Sequence, residues 1–155
     1  HLALTVGSVG ELDEYGAAHP IYEPTLVRVH RRNLLGDIFD ANEHPSGKEL
    51  RASLRMITKA GSGALIYLRP EQYGDEFIDR LQKIQRPEQD VNVPDLTVSK
   101  KPMDRRDYGT GIQIIRDLGL KKLKLLTNHP KHLTALHGFG VDIEEQIPIN
   151  IDGDR

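Results

Sequence analysis

The sequence predicts an α/β fold, a mixed sheet with helices on its faces. Residues 104–140 have the pattern of a loop, a helix, a short buried strand and a second helix. Residues 46–69 repeat part of that order, and alternating apolar residues at 2–6 and 25–30 add two further strands. Helices that alternate with strands are typical of α/β layers. The length, residues 1–155, fits one domain with a useful core.

A polar loop separates the first two predicted strands. Residues 2–6 alternate between apolar and less apolar side chains, as a half-buried strand does. The glycine-containing residues 7–24 follow as a surface loop, and residues 25–30 form the second strand. Arg28 and His30 lie on one face of that strand, which we expect to be half buried.

The next stretch ends in a helix signal. Residues 31–47 have a weak pattern rich in turn-forming residues, and Ser46 is placed to cap the following helix. That helix ends near Gly61 and is followed by a strand at 64–69. Its apolar stripe consists of Leu50, Leu54 and Ile57.

Two later stretches are less regular. Residues 74–84 have a moderate helix signal, whereas residues 86–103 contain three prolines and little periodicity. We expect the second stretch to be a long irregular connection, which in a compact domain either has a function or moves. Residues 141–149 are predicted to form the final strand, with an alternation that slips near Gln146.

The helix and strand within residues 104–140 organise the rest of the chain. Gly119 stands where a left-handed residue ends a helix, the strand occupies residues 123–127, and Pro130 is placed to begin the next helix. The helix is indicated by the spacing of Tyr108, Ile112, Ile115 and Leu118.

Ligands of α/β folds collect beyond the carboxyl ends of the strands. We therefore expect an anion to be held by Thr127, Asn128 and the first turn after Pro130. The residues just ahead of the central helix could face the same crevice: Asp104, Arg105 and Arg106.

Each of these candidates also has a purely structural interpretation. Arg106 either contacts phosphate bidentately, as guanidinium groups favour, or pairs with Asp104 or Asp107 and organises the loop. Thr127 and Asn128 either hold the ligand or cap the helix that follows them.

Composition excludes several classes of protein. The formal net charge is -2 with 28% charged residues, which does not indicate a large nucleic-acid footprint. There is no cysteine, which excludes disulfides and thiolate metal sites and fits a reducing cytoplasm. The longest apolar run, residues 64–68, is too short to span a bilayer. We expect a soluble cytoplasmic protein that binds neither membrane nor nucleic acid. Because residue 1 falls within a strand pattern, we also expect the chain to be a fragment of a longer polypeptide.

Several segments, in sequence order, resemble the GTP cyclohydrolase II family: Arg28-Val29-His30, Gly36-Asp37-Ile38-Phe39, Leu65-Ile66-Tyr67-Leu68-Arg69, Arg106-Asp107-Tyr108-Gly109, Ile114-Ile115-Arg116-Asp117-Leu118-Gly119 and Leu125-Leu126-Thr127-Asn128. The resemblance implies the fold of that family. It also implies its activity, which opens the imidazole ring of GTP and releases formate and pyrophosphate in the first committed step toward riboflavin. Homodimerisation and fusion behind a dihydroxybutanone-phosphate synthase domain are implied as well.

The resemblance also points to a missing metal site. Members of the family hold a zinc ion with three cysteines, and the matching positions here are Asn33, His44 and Ser46. Only His44 is a good zinc ligand, since a neutral amide and a hydroxyl bind zinc poorly. We therefore expect the zinc to be lost and no cofactor to be bound.

The other matched positions divide into two groups. By resemblance, Asp104 and Arg106 occupy the family's acid/base positions. The nucleotide and phosphate positions are Arg28, Glu71, Thr127 and Lys131. Other positions depart from the family: its Gln-Glu-Gly-Arg-Gly segment reads Pro-Glu-Gln-Tyr-Gly at 70–74, and an expected acidic residue is Arg32. Without a metal-bound water to act on, Glu71 is better explained as a solvated loop acid than as a base.

Three functional hypotheses follow. The first is a GTP cyclohydrolase II-like domain that has lost its hydrolytic centre and has a regulatory, dimerisation or residual nucleotide-binding role. The second is an active GTP cyclohydrolase II with an altered metal site. The third is a nucleotide-binding module, which a GTP-dependent rise in melting temperature would reveal.

Overall fold

The computed structural model describes residues 1–40, 46–69, 105–129 and 140–151. Their helices and strands, in chain order, are β1 Leu2–Val6, β2 Thr25–Arg31, α1 Leu34–Ile38, α2 Ser46–Ala60, β3 Gly63–Leu68, α3 Arg105–Asp117, β4 Lys122–Leu126 and β5 Asp142–Ile147. The helix predicted at 74–84, the connection at 86–103 and the helix predicted to begin at Pro130 lie outside the described residues. None of the helices in the described ranges combines the length and apolarity that a membrane span requires.

The five strands form one mixed sheet in the order β1-β3-β2-β4-β5. β1 runs antiparallel to β3, whereas the pairs β2 and β3, β2 and β4, and β4 and β5 are parallel. The four parallel strands therefore end at the same side of the sheet, which we call the carboxyl edge. The predicted mixed sheet flanked by helices is confirmed.

Each face of the sheet carries its own apolar core. On one face, Ile112 and Ile115 of α3 pack with Val27 and Ile66. A Cβ placed on Gly111 would lie 3.3 Å from Val29 Cγ1, so α3 approaches β2 closely. On the other face the cluster contains Ala52, Ile57, Leu65, Leu126 and Ile149. This second face, which we call the α2 face, is also the face of Arg28 and His30.

The helix ends follow the sequence closely. Gly119 has a φ of 82°, and a Cβ there would collide with the backbone oxygen of His19. The prediction that Gly119 ends the central helix is thus confirmed. Ser46, the predicted cap, is the first residue of α2 that the structure describes. The weakly patterned residues 31–47 contain α1, whose five residues are too few to give a periodic signal.

The predicted slip in the last strand is a β-bulge. β4 and β5 pair Leu123 with Ile143 and then Lys124 with Glu145, so Glu144 is the extra residue. The bulge lies two residues before the predicted position near Gln146. Because one residue is inserted, Ile143 packs in the core beneath α3 while Ile147 packs on the α2 face.

Candidate functional site

The carboxyl edge is also where α2 begins. Because β2 and β3 are parallel, the connection between them must return across the sheet, so the first turn of α2 lies beside the end of β2. A Cβ on Gly47 would lie 2.7 Å from the backbone oxygen of Gly36, which leaves α1 and α2 in direct backbone contact. The edge at which the sequence predicts a ligand therefore brings together the ends of β2 and β4 and this helix junction.

Asn33 and Ser46, two of the three positions matched to zinc ligands, meet at this junction. Asn33 Oδ1 accepts a hydrogen bond from the Gly36 amide at 3.4 Å, which makes Asn33 the N-cap of α1. Asn33 Nδ2 donates to Ser46 Oγ at 3.3 Å. The third position, His44, lies outside the described residues. Two of the three matched positions are thus in direct contact through their side chains.

The donor groups at this junction do not fit a zinc ion. Both side chains are neutral, and each is engaged in a hydrogen bond within the protein. Zinc sites in proteins use thiolate, imidazole and carboxylate ligands. In residues 1–40, 46–69, 105–129 and 140–151, no group of three or more His, Asp or Glu side chains could hold a metal, and the chain has no cysteine.

A buried carboxylate that sequence reasoning missed lies next to Asn33. Asp37 Oδ1 lies 2.9 Å from His30 Nε2, and Asp37 Oδ2 accepts from the Tyr67 hydroxyl at 2.8 Å and from the Asn33 amide at 2.9 Å. The side chains of His30 and Asp37 are only 3% and 2% exposed. The rings of His30 and Tyr67 stack with centroids 5.5 Å apart. We call these four residues the Asp37 cluster.

The charge of Asp37 follows from these contacts. Burial raises the pKa of Asp37, but the hydrogen bonds from His30, the Asn33 amide and Tyr67 outweigh burial, and the pKa lies below its usual range. The carboxylate is therefore ionised and accepts the His30 Nε2 proton. Asp37 ties β2, β3 and the start of α1 together. The only available signal was the apolar surrounding of Asp37 in the chain, with Leu34 and Leu35 before Gly36 and Ile38 and Phe39 after it. A buried aspartate needs a partner, which the sequence alone does not identify.

A second group of polar contacts lies on the same face at the end of β4. Arg28 donates to the backbone oxygen of Leu126 and forms an ion pair with Glu49 Oε2, both at 3.0 Å. Glu49 Oε1 accepts from Asn128 Nδ2 at 3.1 Å, and Asn128 Oδ1 accepts from the Ile149 amide at 2.8 Å. We call Arg28, Glu49, Asn128 and Ile149 the Arg28 network. Sequence reasoning had placed Glu49 in no site.

Thr127 makes local contacts. Its hydroxyl accepts a hydrogen bond from the His129 amide at 3.1 Å, and its own amide donates to Ile147 at 2.9 Å. The first bond forms a turn directly after β4, at the predicted edge of the sheet, and the second extends the pairing of β4 with β5 by one residue. Arg106 belongs to the first turn of α3. The remaining predicted site residues, Asp104, Glu71 and Lys131, lie outside the described residues.

Comparison with models of protein families matches residues 1–148 with GTP cyclohydrolase II. The chain belongs to the GTP cyclohydrolase II family. The resemblance seen in the sequence and the fold it implied are both confirmed.

Relatives of this GTP cyclohydrolase II family member include riboflavin biosynthesis proteins. RibBA of Bacillus cereus strain G9842 is 35% identical over 152 residues, which cover 97% of this chain and 36% of the relative. RibBA of Bacillus subtilis is 39% identical over 84% of this chain and 33% of the relative. RibBA of Cytophaga hutchinsonii is 40% identical over 83% and 32%. The chain thus spans about a third of the length of the relatives it matches.

Proposed function

We propose that this chain is the GTP cyclohydrolase II-type domain of a riboflavin biosynthesis protein and that it does not open the purine ring. Its role is regulatory or structural, and it binds a nucleotide or phosphate weakly. The observation behind this proposal is the 3.3 Å hydrogen bond between Asn33 and Ser46, at two of the three positions matched to zinc ligands. Neutral groups bonded to each other supply no ligand set for the ion.

The acid/base positions have no reaction to serve in this proposal. A bound zinc ion supplies a water of lowered pKa, and the chain offers no thiolate to hold that ion. Asp104 and Arg106 are then vestigial as catalytic groups. They remain available to border the crevice.

In this proposal the retained function is the binding of phosphate groups. We assign nucleotide or phosphate contacts to Arg28, Glu71, Thr127, Lys131 and the guanidinium of Arg106. Support comes from the position of Thr127 directly beyond β4 and from the ion-paired Arg28 at the same edge. Guanidinium and ammonium groups are the side chains that bind phosphate oxygens most strongly.

The proposal extends to the surroundings of the domain. We infer that the chain is a homodimer in the cytoplasm and is fused behind a dihydroxybutanone-phosphate synthase domain. The relatives support the fusion, because each is about three times the length matched here. Dimerisation and control of the synthase half are then the regulatory functions of the domain.

Metal analysis combined with a formate-release assay tests the loss of hydrolysis. The purified chain should contain no stoichiometric zinc and release no formate from GTP. The matched comparison is the triple variant Asn33→Cys, His44→Cys and Ser46→Cys, which should bind zinc because it restores three thiolates. Formate release by the wild-type protein together with stoichiometric zinc would overturn the proposal in favour of an active enzyme with an altered metal site.

Thermal unfolding in the presence of GTP tests the retained binding. A ligand that binds only the folded state raises the melting temperature. We expect GTP to raise it and the substitution Arg106→Ala to abolish the rise. A shift of the same size in Arg106→Ala would remove Arg106 from the phosphate site, and the absence of any shift in the wild-type protein would remove nucleotide binding.

A further inference from the structure

The Arg28 network contains an acid at the place where the proposed function needs a free cation. Arg28 reaches the end of β4, as its bond to the Leu126 oxygen establishes. A guanidinium at the carboxyl edge is suited to an anionic ligand. Here the guanidinium already has an anionic partner, Glu49 Oε2 at 3.0 Å.

The pair is well shielded from solvent. The side chains of Arg28 and Glu49 are 12% and 13% exposed. At such low exposure, water and salt screen a charge pair much less than at an open surface. A ligand anion must therefore displace the carboxylate from Arg28 or tolerate its repulsion.

Glu49 is also held in place from its other oxygen. Asn128 Nδ2 donates to Glu49 Oε1, and Asn128 Oδ1 accepts from the Ile149 amide. Ile149 itself is buried in the core of the α2 face. Because Asn128 connects Glu49 to a buried part of the chain, the carboxylate cannot swing away from Arg28 without losing a second hydrogen bond.

We propose that Glu49 is a specificity-determining residue of this crevice: its carboxylate occupies Arg28 as an internal anion and keeps polyphosphates weakly bound. The inference rests on the proposed function, since it describes the ligand preference of the proposed phosphate crevice. With the charge of Arg28 compensated, the crevice favours ligands of low charge. Pyrophosphate and nucleoside triphosphates are the class that it disfavours.

Pyrophosphate titration of Glu49→Gln tests the inference. Glutamine has the shape of glutamate and can still accept the bond from Asn128, but it has no charge with which to compete for Arg28. In isothermal titration calorimetry, Glu49→Gln should bind inorganic pyrophosphate at least about tenfold more tightly than the wild-type protein does. The double variant Arg28→Gln with Glu49→Gln should lose that gain.

Glu144→Gln is the matched control for net charge. It also removes one carboxylate, but Glu144 pairs with Lys122 at the surface with 40% of its side chain exposed. Lys122 and Leu126 are the two ends of β4, about 13 Å apart along a strand. Screening over that distance is nearly complete at physiological salt. Pyrophosphate affinity should therefore not change in this variant.

Three results of the pyrophosphate titrations would contradict the inference. Equal pyrophosphate affinities in the wild-type protein and Glu49→Gln would overturn the inference, as would an equal gain in Glu144→Gln or a gain that persists without Arg28. If the double variant does not fold, as judged by its thermal transition, Arg28→Lys with Glu49→Gln replaces it, because lysine cannot reproduce the forked contacts of arginine. Formate release is assayed in parallel and bears only on the proposed loss of hydrolysis.

Discussion

The Asp37 cluster and the Arg28 network lie side by side on the α2 face of the sheet, since His30 and Arg28 are two residues apart on β2. Their carboxylates, however, differ in burial and in partners. Asp37 is 2% exposed and its partners are His30, Tyr67 and a backbone amide. Glu49 is 13% exposed and its main partner is a full positive charge. The first arrangement is buried, has both carboxylate oxygens bonded within the protein, and acts as a structural tie. In the second, the carboxylate pairs with Arg28, where we propose that it competes with an external anion.

Removal of the Asp37 carboxylate should lower the free energy of unfolding more than any other change considered for these two groups of residues. Asp37→Ala leaves the Tyr67 hydroxyl, the Asn33 amide and the His30 ring without their acceptor, and loss of one partner from such a buried group costs about 3–5 kcal/mol. Urea denaturation should report that loss in the free energy of unfolding. Asp13→Ala is the control, since Asp13 also accepts bonds from two backbone amides, but these bonds are exposed to solvent. Equal losses in the two variants would contradict the assignment of Asp37 as a buried tie.

Acid should act through the same residue. Because the pKa of Asp37 is lowered in the folded state, its ionised form stabilises the protein above the unfolded value of about 3.9, and this contribution disappears as the pH falls through the folded-state pKa. The free energy of unfolding of the wild-type protein should exceed that of Asp37→Asn by its maximum amount at pH 7. This difference should become smaller as the pH falls below about 3.9. Urea titrations at several pH values measure it, and a difference independent of pH would mean that Asp37 is not ionised.

The smallest of these effects belongs to the Arg28 network. Asn128→Ala removes the bond to Glu49 and the bond from the Ile149 amide, which should cost about 1–3 kcal/mol and speed hydrogen exchange at Ile149. Thr127→Ala is the control, because the His129 amide that it frees is exposed and water replaces the lost bond. Unchanged exchange at Ile149 in Asn128→Ala would show that Asn128 does not hold this segment.

The regular elements were predictable because each has a local cause. Gly119 ends α3 since its φ of 82° suits glycine. Of the predicted apolar stripe of α2, Ile57 is buried in the core, and Leu50 and Leu54 pack against it partly buried. α1 was not predictable, because a helix of five residues has hardly more than one turn to show a period. The bulge in β5 was foreseen as a slip of pattern, but its exact residue depends on pairing with β4.

The candidate site divides along the same line. The sequence named four of the candidate residues: Asn33, Ser46, Arg28 and Thr127. Both the family resemblance and the rule that ligands bind beyond the carboxyl ends of strands depend only on position along the chain. Asp37 and Glu49 were not identified as site residues. Each acquires its role from a partner on another element: His30 and Tyr67 for Asp37, and Arg28 and Asn128 for Glu49.

The sequence by itself determined the family, the α/β class and the absence of any thiolate for a metal, because these depend on residue type and spacing along the chain. Only the tertiary structure decided that Asn33 bonds to Ser46, that Asp37 ties two strands to α1, and that Glu49 occupies Arg28. The physical reason is that a charge or a hydrogen-bonding group has no fixed role until folding brings its partner within about 3 Å and removes the water between them.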